Sequence, residues 1–462
     1  MSTNRAFRGL LVATALSLSW VAHADLYDAG QAYDKKDFEK AFALYRDLAE
    51  LGEVHAQESL ALMYVSGEGV KRDNVLGYAW ASIALENGAG DDMKSIIDQL
   101  EPHLNGNARK KIDGVREQFG RAALDKSLMP NIFENANYLD REPCRISKAY
   151  TAKYPTDAMM KGIQGAAYME LTVMPDGRAR NPRVIYSVPA NTFDEAAREV
   201  VLRTEFTPAR TKDGLVPCPM SLMIQYVMPD AKPEDYPKLE TFTEKTRVQA
   251  EAGDPRSQML YGLLISGVPQ LKRTRSDAMP WFLKSAQAGL PTAQYTVGYS
   301  MLQGWGCECD EPKGLIWLHK AAAADQSDAQ VALANYLLRG DPTQENVAKA
   351  RVWLERAAAS RNRDGKFYLA ALLAASTDAA SRDPQRSMSL LHDVMRDMDV
   401  DPTAFEIRAA ANAMLGKFND AKKDQARALK MATALGWDTV PQQARLRSYE
   451  QNTAWTGDLF AF

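Results

Sequence analysis

The sequence holds few of the residues that carry chemistry. Its 462 residues include 5 histidines and 4 cysteines, and no histidines stand at metal-ligand spacing. There is no His-Glu-x-x-His, no Gly-x-Ser-x-Gly and no phosphate-cradling glycine loop. Gly67-Glu68-Gly69 lies in the turn of a repeat, and His55 and His319 fall inside repeat helices, where packing or surface roles are expected. No catalytic, cofactor-binding or metal residue is therefore assigned, and the chain is not expected to be an enzyme. An excess of charge of one sign is also missing. With 56 basic and 59 acidic residues the formal net charge is −3, which argues against a nucleic-acid footprint.

Long apolar runs are absent too. The stretch from Gly9 to Val21 is shorter than the ~20 residues a membrane helix needs. Arg5 and Arg8 precede it and Ala22-His23-Ala24 follows it, so residues 1–24 read as a cleavable secretory signal peptide, with Asp25 as the expected new N-terminus. No cysteine near that site offers a lipid attachment point, and stable membrane insertion is not expected.

What remains is ordinary globular material. Apolar residues make up 46% and charged residues 25%, and the length suits roughly three domains. Four cysteines in an exported chain allow three pairings. Cys144 and Cys218 share the middle of the sequence and Cys307 and Cys309 share one loop, so pairing within each region is simplest. A ring through Cys307-Glu308-Cys309 would be strained, leaving a local staple or free thiols open there.

The strongest positive signal is an internal repeat. Gln258, Gln294 and Gln330 recur at a step of 36 residues, as do Trp281, Trp317 and Trp353. Small residues keep the same step at Ala278, Gly314 and Ala350, and at Ala286, Ala322 and Ala358. Gln57 and Trp80 repeat the glutamine-to-tryptophan spacing upstream. Each unit reads as a helical hairpin with a Gly-bearing turn and the tryptophan on the second helix. Trp80, Trp281, Trp317 and Trp353 are expected in the core, filling the wedge between hairpins, in preference to acting as carbohydrate-stacking platforms.

These units resemble Sel-one-like repeats, relatives of tetratricopeptide repeats. The fullest copy runs through Gly52, Ala56-Gln57, Leu60, Tyr64, Gly67-Glu68-Gly69-Val70, Asp73 and Ala79-Trp80. Another keeps Ala293-Gln294, Gly298, Tyr299, Gly304-Trp305-Gly306, Asp310 and Trp317, with Cys307 in place of Val70. Residues 252–288 and 325–360 are looser, and a degenerate unit to about residue 398 has Ser389 where the tryptophan would fall. Asp401 to Trp437 looks tetratricopeptide-like and is expected to cap the stack.

Between Cys144 and Pro229 the helical period stops. Ala166 to Met174 and Val184 to Val188 read as strands around Pro175-Asp176-Gly177-Arg178, a hairpin turn signal. Phe193 to Leu202 reads as a helix and Ser221 to Val227 as a final strand. The order resembles the TonB C-terminal domain, through Tyr154-Pro155, Ala158, Gly162, Gly165, Asp176-Gly177, Ser187, Phe193-Asp194, Ala196-Ala197, Phe206, Pro208-Ala209, Gly214 and Val216-Pro217. Thr204 stands where an aromatic is often found, and Cys218-Pro219 interrupts the start of the last strand. Arg178, Arg180 and Arg183 read as a solvated charged turn.

The expected fold class is mainly α: an α-solenoid of helical-hairpin repeats flanking a small α+β domain. Its parts are helical repeats over 25–128, the TonB-like domain over 143–229, Sel-one-like repeats over 236–400 and capping helices over 401–440, with an extended connector from Met129 to Pro143. A Cys144–Cys218 disulfide is expected to bracket the middle domain.

The resemblance implies a periplasmic protein-protein adaptor whose middle domain adds an extended peptide of an outer-membrane transporter to a sheet edge. Ser221, Leu222, Met223, Ile224, Gln225, Tyr226 and Val227 are the candidate edge, with Met223, Gln225 and Val227 on one face and Leu222, Ile224 and Tyr226 on the other. Other envelope proteins are the expected partners, TonB-dependent transporters among them, and no nucleic acid. Competing readings are a TonB-type energy transducer supporting transmembrane transport and a cell-envelope factor associated with peptidoglycan.

Overall fold

The computed structural model describes residues 26–50, 52–133, 144–151, 153–212, 214–228, 239–267, 273–339, 342–360, 362–395, 401–457 and 459. The expected signal at residues 1–24 and most of the connector lie outside the described residues. The chain divides into two compact units, one ending at Leu124 and the other beginning at Asp125.

The first unit is built from helices α1 (Leu26–Asp34), α2 (Phe38–Glu50), α3 (Val54–Ser66), α4 (Asn74–Glu86), α5 (Asp91–Leu100) and α6 (Gly106–Phe119), and α7 (Arg121–Ser127) runs across the boundary. The repeat turn explains its own sequence. Gly67 ends α3 in the left-handed region at φ 79°, which costs glycine no steric penalty. A Cβ on Gly69 would sit 2.0 Å from the Phe38 carbonyl oxygen, so the turn touches the start of α2 as only glycine allows. Asp73 then caps α4, accepting from Val75 N and Leu76 N at 3.0 Å each. Trp80 is buried and stacks on Phe119.

The second unit opens with an α+β domain. It contains β1 (Arg145–Lys148), α8 (Thr156–Met160), β2 (Gly165–Val173), β3 (Ala179–Val188), α9 (Asp194–Arg203), β4 (Glu205–Thr207), β5 (Ala209–Thr211), β6 (Gly214–Val216) and β7 (Cys218–Tyr226). The main sheet has the order β3-β2-β7 and is antiparallel throughout. Alternation sets its core face: Ala167, Met169, Leu171 and Val173 of β2 pack on Phe193, Ala197 and Val201 of α9. Phe193 stacks on Tyr226 with centroids 4.4 Å apart. β7 starts earlier than its sequence pattern suggested, because the pairing runs on through Pro219 opposite Thr172 and Cys218 opposite Val173. The expected interruption at Cys218-Pro219 is therefore corrected: proline is tolerated at the start of an edge strand, and β7 provides both conditions.

Helical hairpins follow, as α10 (Leu239–Glu251), α11 (Pro255–Gly267), α12 (Arg275–Gln287), α13 (Pro291–Gln303), α14 (Glu311–Ala323), α15 (Ser327–Leu337), α16 (Gln344–Ala359), α17 (Arg363–Ala375), α18 (Pro384–Met395), α19 (Pro402–Met414), α20 (Phe418–Ala434) and α21 (Val440–Glu450). The repeated glutamine has one job throughout. Its side-chain amide donates to the carbonyl eight residues back, from Gln57 to Ala49 at 3.1 Å, Gln258 to Ala250 at 3.2 Å, Gln294 to Ala286 at 3.3 Å and Gln330 to Ala322 at 3.1 Å. Those carbonyls lie in the last turn of the preceding helix, where each also accepts the main-chain N–H three residues on, from Gly52, Gly253, Gly289 and Asp325.

Trp317 and Trp353 are buried. Trp281 is only half-buried: Tyr261 meets its edge at 5.0 Å and the Lys284 ammonium lies 4.6 Å from its centroid, an arrangement that keeps the charged head in water. The expectation of a fully enclosed tryptophan is corrected at that one position.

Candidate functional site

β7 is the outer strand of the three-stranded sheet, with β2 on its inner side. Met220, Leu222, Ile224 and Tyr226 face the domain's own core, and Gln225 is exposed. Val227 falls just past the end of the strand. Tyr226 is 2% exposed and locked against Phe193, so it supports the edge from behind.

The Cys144 and Cys218 sulfurs are bonded, with Cα atoms 6.1 Å apart. This joins the segment before β1 to the first residue of β7 and fixes where the outer strand begins. Cys307 and Cys309 are free thiols, the first buried and the second exposed. Burial pushes the Cys307 thiol up to about 12, which keeps it protonated and unreactive at neutral pH.

The middle of the opposite face of the sheet is covered, while Gln225 of β7 and Tyr186 of β3 are exposed. The covered part carries Tyr168 and Glu170 from β2 and Ser221 and Met223 from β7, and the repeats close over it. A Cβ on Gly267, at the end of α11, would lie 2.7 Å from the Tyr168 ring, so the helix end rests directly on the sheet. Arg275 at the start of α12 then donates to the Tyr168 hydroxyl, the Ser221 hydroxyl, Glu170 Oε1 and the Ser300 hydroxyl, each at 3.1 Å.

Glu170 is the centre of this contact. It is 1% exposed, accepts from the Tyr295 hydroxyl at 3.2 Å and pairs with Arg183 at 3.5 Å. Burial holds the Tyr295 hydroxyl well above its ordinary range, so it remains a donor. A buried carboxylate is tolerated because cations and donors surround it. The sequence carried a signal for it: Glu170 is the one charged residue in the otherwise uncharged strand Gly165–Val173. Sequence reasoning missed it, and missed Arg275 and Tyr295, because the partners come from distant repeats.

The hairpin and helix of the domain are held as well. Asp176 accepts from Asp438 N at 3.0 Å and from Arg180 at 2.7 Å, while the Arg180 guanidinium sits 3.8 Å above the Trp437 ring. On α9, Arg198 donates to the Pro182 carbonyl at 2.8 Å and to Asp364 at 3.3 Å, and Glu195 pairs with Arg363 at 3.1 Å. The side chains of Arg178, Arg180 and Arg183 are 22%, 14% and 8% exposed. The reading of these arginines as a solvated turn is overturned at Arg180 and Arg183, where Trp437 and Tyr299 supply aromatic faces and Asp176 and Glu170 of the domain itself supply the acids.

Family comparison fits this architecture. A model described as the Gram-negative bacterial TonB protein C-terminal matches residues 151–228, and the Sel1 repeat model matches residues 15–53, 54–88, 291–326 and 327–362. The chain carries Sel1 repeats and a TonB C-terminal domain. Protein TonB of Escherichia coli (strain K12) is 30% identical over 64 residues, which are 14% of this chain and 27% of that protein. The match thus spans about a quarter of the relative's length.

Among solved structures, a Sel1 repeat protein from Oxalobacter formigenes aligns at 20% identity and TM-score 0.35, over 46% of this chain and 92% of its own. The c5321 protective antigen of uropathogenic Escherichia coli strains, with an SLR fold, aligns at 17% identity and TM-score 0.35, over 95% and 79%. The hairpins around Gln258 and Trp281 lie outside the matched Sel1 ranges, yet carry the same glutamine bond. The TonB C-terminal domain and the C-terminal Sel1 repeats share one compact unit, joined by the Glu170 contact.

Proposed function

We propose that the protein is a periplasmic adaptor: its Sel1 repeats gather envelope partners, and its TonB C-terminal domain accepts an extended peptide of an outer-membrane transporter along β7. The observation that carries this reading is the outer position of β7, which has β2 on one side in a domain matched by the TonB C-terminal model. An outer strand offers N–H and C=O groups to an added strand. Neither matching family model is catalytic, which favours binding over turnover. No helix among the described residues is long and apolar enough to cross a membrane.

Because the second face of the sheet rests on the repeats, the test uses the full chain. Plug-region peptides of outer-membrane transporters are titrated in, and hydrogen–deuterium exchange is followed across residues 218–226. Slower exchange in β7 is expected. Ile224→Pro, once shown by cooperative unfolding to be folded, should abolish it by removing one N–H and regular pairing, whereas Gln225→Thr should preserve it. Protection confined to helices, or none, rejects strand addition here. Export is tested separately: intact mass should place the N-terminus at Asp25 after osmotic shock, and a full-length membrane-bound product would favour the energy-transducer reading.

A further inference from the structure

A cavity of about 680 Å³ lies between β2 and helices α13, α15, α16 and α17, within the roughly 300–1,000 Å³ range of drug-sized ligand sites. Glu170 and Thr172 stand on the sheet side; Leu302, Trp305 and Leu372 form part of the helical wall. Most of the lining is apolar and aromatic.

Charge on the lining is unbalanced. Among the described residues that line the cavity the carboxylate and guanidinium side chains are Glu170, Arg183 and Arg339, one carboxylate against two guanidiniums. Glu170 is already engaged, since Arg275 reaches it at 3.1 Å, closer than Arg183 at 3.5 Å. Arg183 pairs with Glu170 and lies against the Tyr299 and Tyr295 rings, 4.5 and 5.6 Å from centroid to guanidinium. Arg183 is 6% exposed. A cation held out of water with a shared counter-charge favours an anion beside it, and the apolar walls favour a hydrocarbon or aromatic body.

We propose that this cavity is a binding site for an amphipathic carboxylate, with Arg183 facing the carboxylate, Arg339 adding positive charge at the exposed side and the Trp305 wall taking the apolar body. A cationic amphiphile would add a further positive charge to the same space and is excluded. This site is separate from the β7 edge and stands whether or not strand addition occurs.

The test is a titration of the full chain with the fluorescent anion 8-anilinonaphthalene-1-sulfonate, followed by displacement with dodecanoate or with dodecyltrimethylammonium. One saturable probe per chain is expected, displaced by dodecanoate and not by the ammonium. Arg183→Met should weaken dodecanoate about tenfold or more and Arg339→Glu about threefold or more, each checked for cooperative unfolding. If Arg183→Met does not fold, Arg339→Glu decides, because Arg339 is exposed and its replacement leaves the core intact. Equal displacement by both amphiphiles, no saturable site, or unchanged affinity in the folded variants would overturn the proposal.

Discussion

The indole N–H of Trp317 donates to the main-chain carbonyl of Leu128 at 3.0 Å, across a separation of 189 residues. The repeat tryptophan is both core filler and anchor for the segment leading into the TonB C-terminal domain. Next to it, Asn131 O accepts from Glu308 N at 2.9 Å and Ile132 forms an isolated antiparallel bridge with Cys307, so the segment is pinned to the repeat turn.

Trp317→Ala should therefore cost about 3–5 kcal/mol, the usual range for emptying a large aromatic site. Trp317→Phe should recover most of the packing and still lose about 1–3 kcal/mol, because the Leu128 carbonyl is left unpaired. Urea unfolding monitored by circular dichroism measures both; an unchanged midpoint for the alanine variant would show that the ring is not core.

The Cys144–Cys218 bond closes a loop with a sequence separation of 74. Restricting the unfolded chain over such a loop should contribute about 2–4 kcal/mol. Paired Cys144→Ser and Cys218→Ser replacement should lower the midpoint accordingly, and non-reducing peptide mapping should recover the linked peptides from the native protein.

Glu170→Gln would leave Arg183 and Arg275 buried without their carboxylate. Removing one member of a buried ion cluster typically costs about 3–5 kcal/mol, and here the loss should appear as weakened docking of sheet on repeats. Exchange of β2 amides in the variant should accelerate more than exchange in α3 and α4, which belong to the other unit.

Gln330→Ala should cost about 1 kcal/mol, the net worth of a hydrogen bond to a buried carbonyl, and Gln294→Ala should cost a similar amount. Thermal unfolding that shows no difference from the parent would mean the glutamine amide is dispensable.

His319 packs against Trp353 with ring centroids 5.8 Å apart, and burial pushes its imidazole down to about 4. The folded state holds it neutral while the unfolded chain protonates near its ordinary value of about 6.5. Its contribution is thus fully present above about pH 6.5 and declines as pH falls toward 4. His319→Gln should flatten that part of the stability profile; an unaltered acid limb would show that other groups control it.

The helical step was legible because a repeat imposes the same contact at the same register: a glutamine that must reach a carbonyl eight residues back cannot drift without losing it. Asp176-Gly177 was legible for a comparable reason, since Gly177 takes φ 74° and a Cβ there would approach the Phe206 carbonyl oxygen to 2.6 Å. The extent of β7 was less so, because Pro219 breaks the local pattern while remaining compatible with an outer strand. Trp281 carries the same spacing as Trp317, yet spacing does not state how much chain covers a given repeat.

By itself the sequence determined the helical hairpins, their turns and the β2–β3 hairpin, which follow from local periodicity and glycine geometry, and it placed Cys144 and Cys218 in one domain. The pairing of β7 with β2 and the short strands β1, β4, β5 and β6 came only with the fold. Tertiary structure alone decided what the middle domain does with its second face. Glu170, Arg183, Arg275 and Tyr295 are far apart along the chain, and each in isolation reads as a surface charge or an ordinary aromatic. Only when the repeats fold over the sheet do their charges leave water together, and the cost of burying any one of them is offset by the presence of the others.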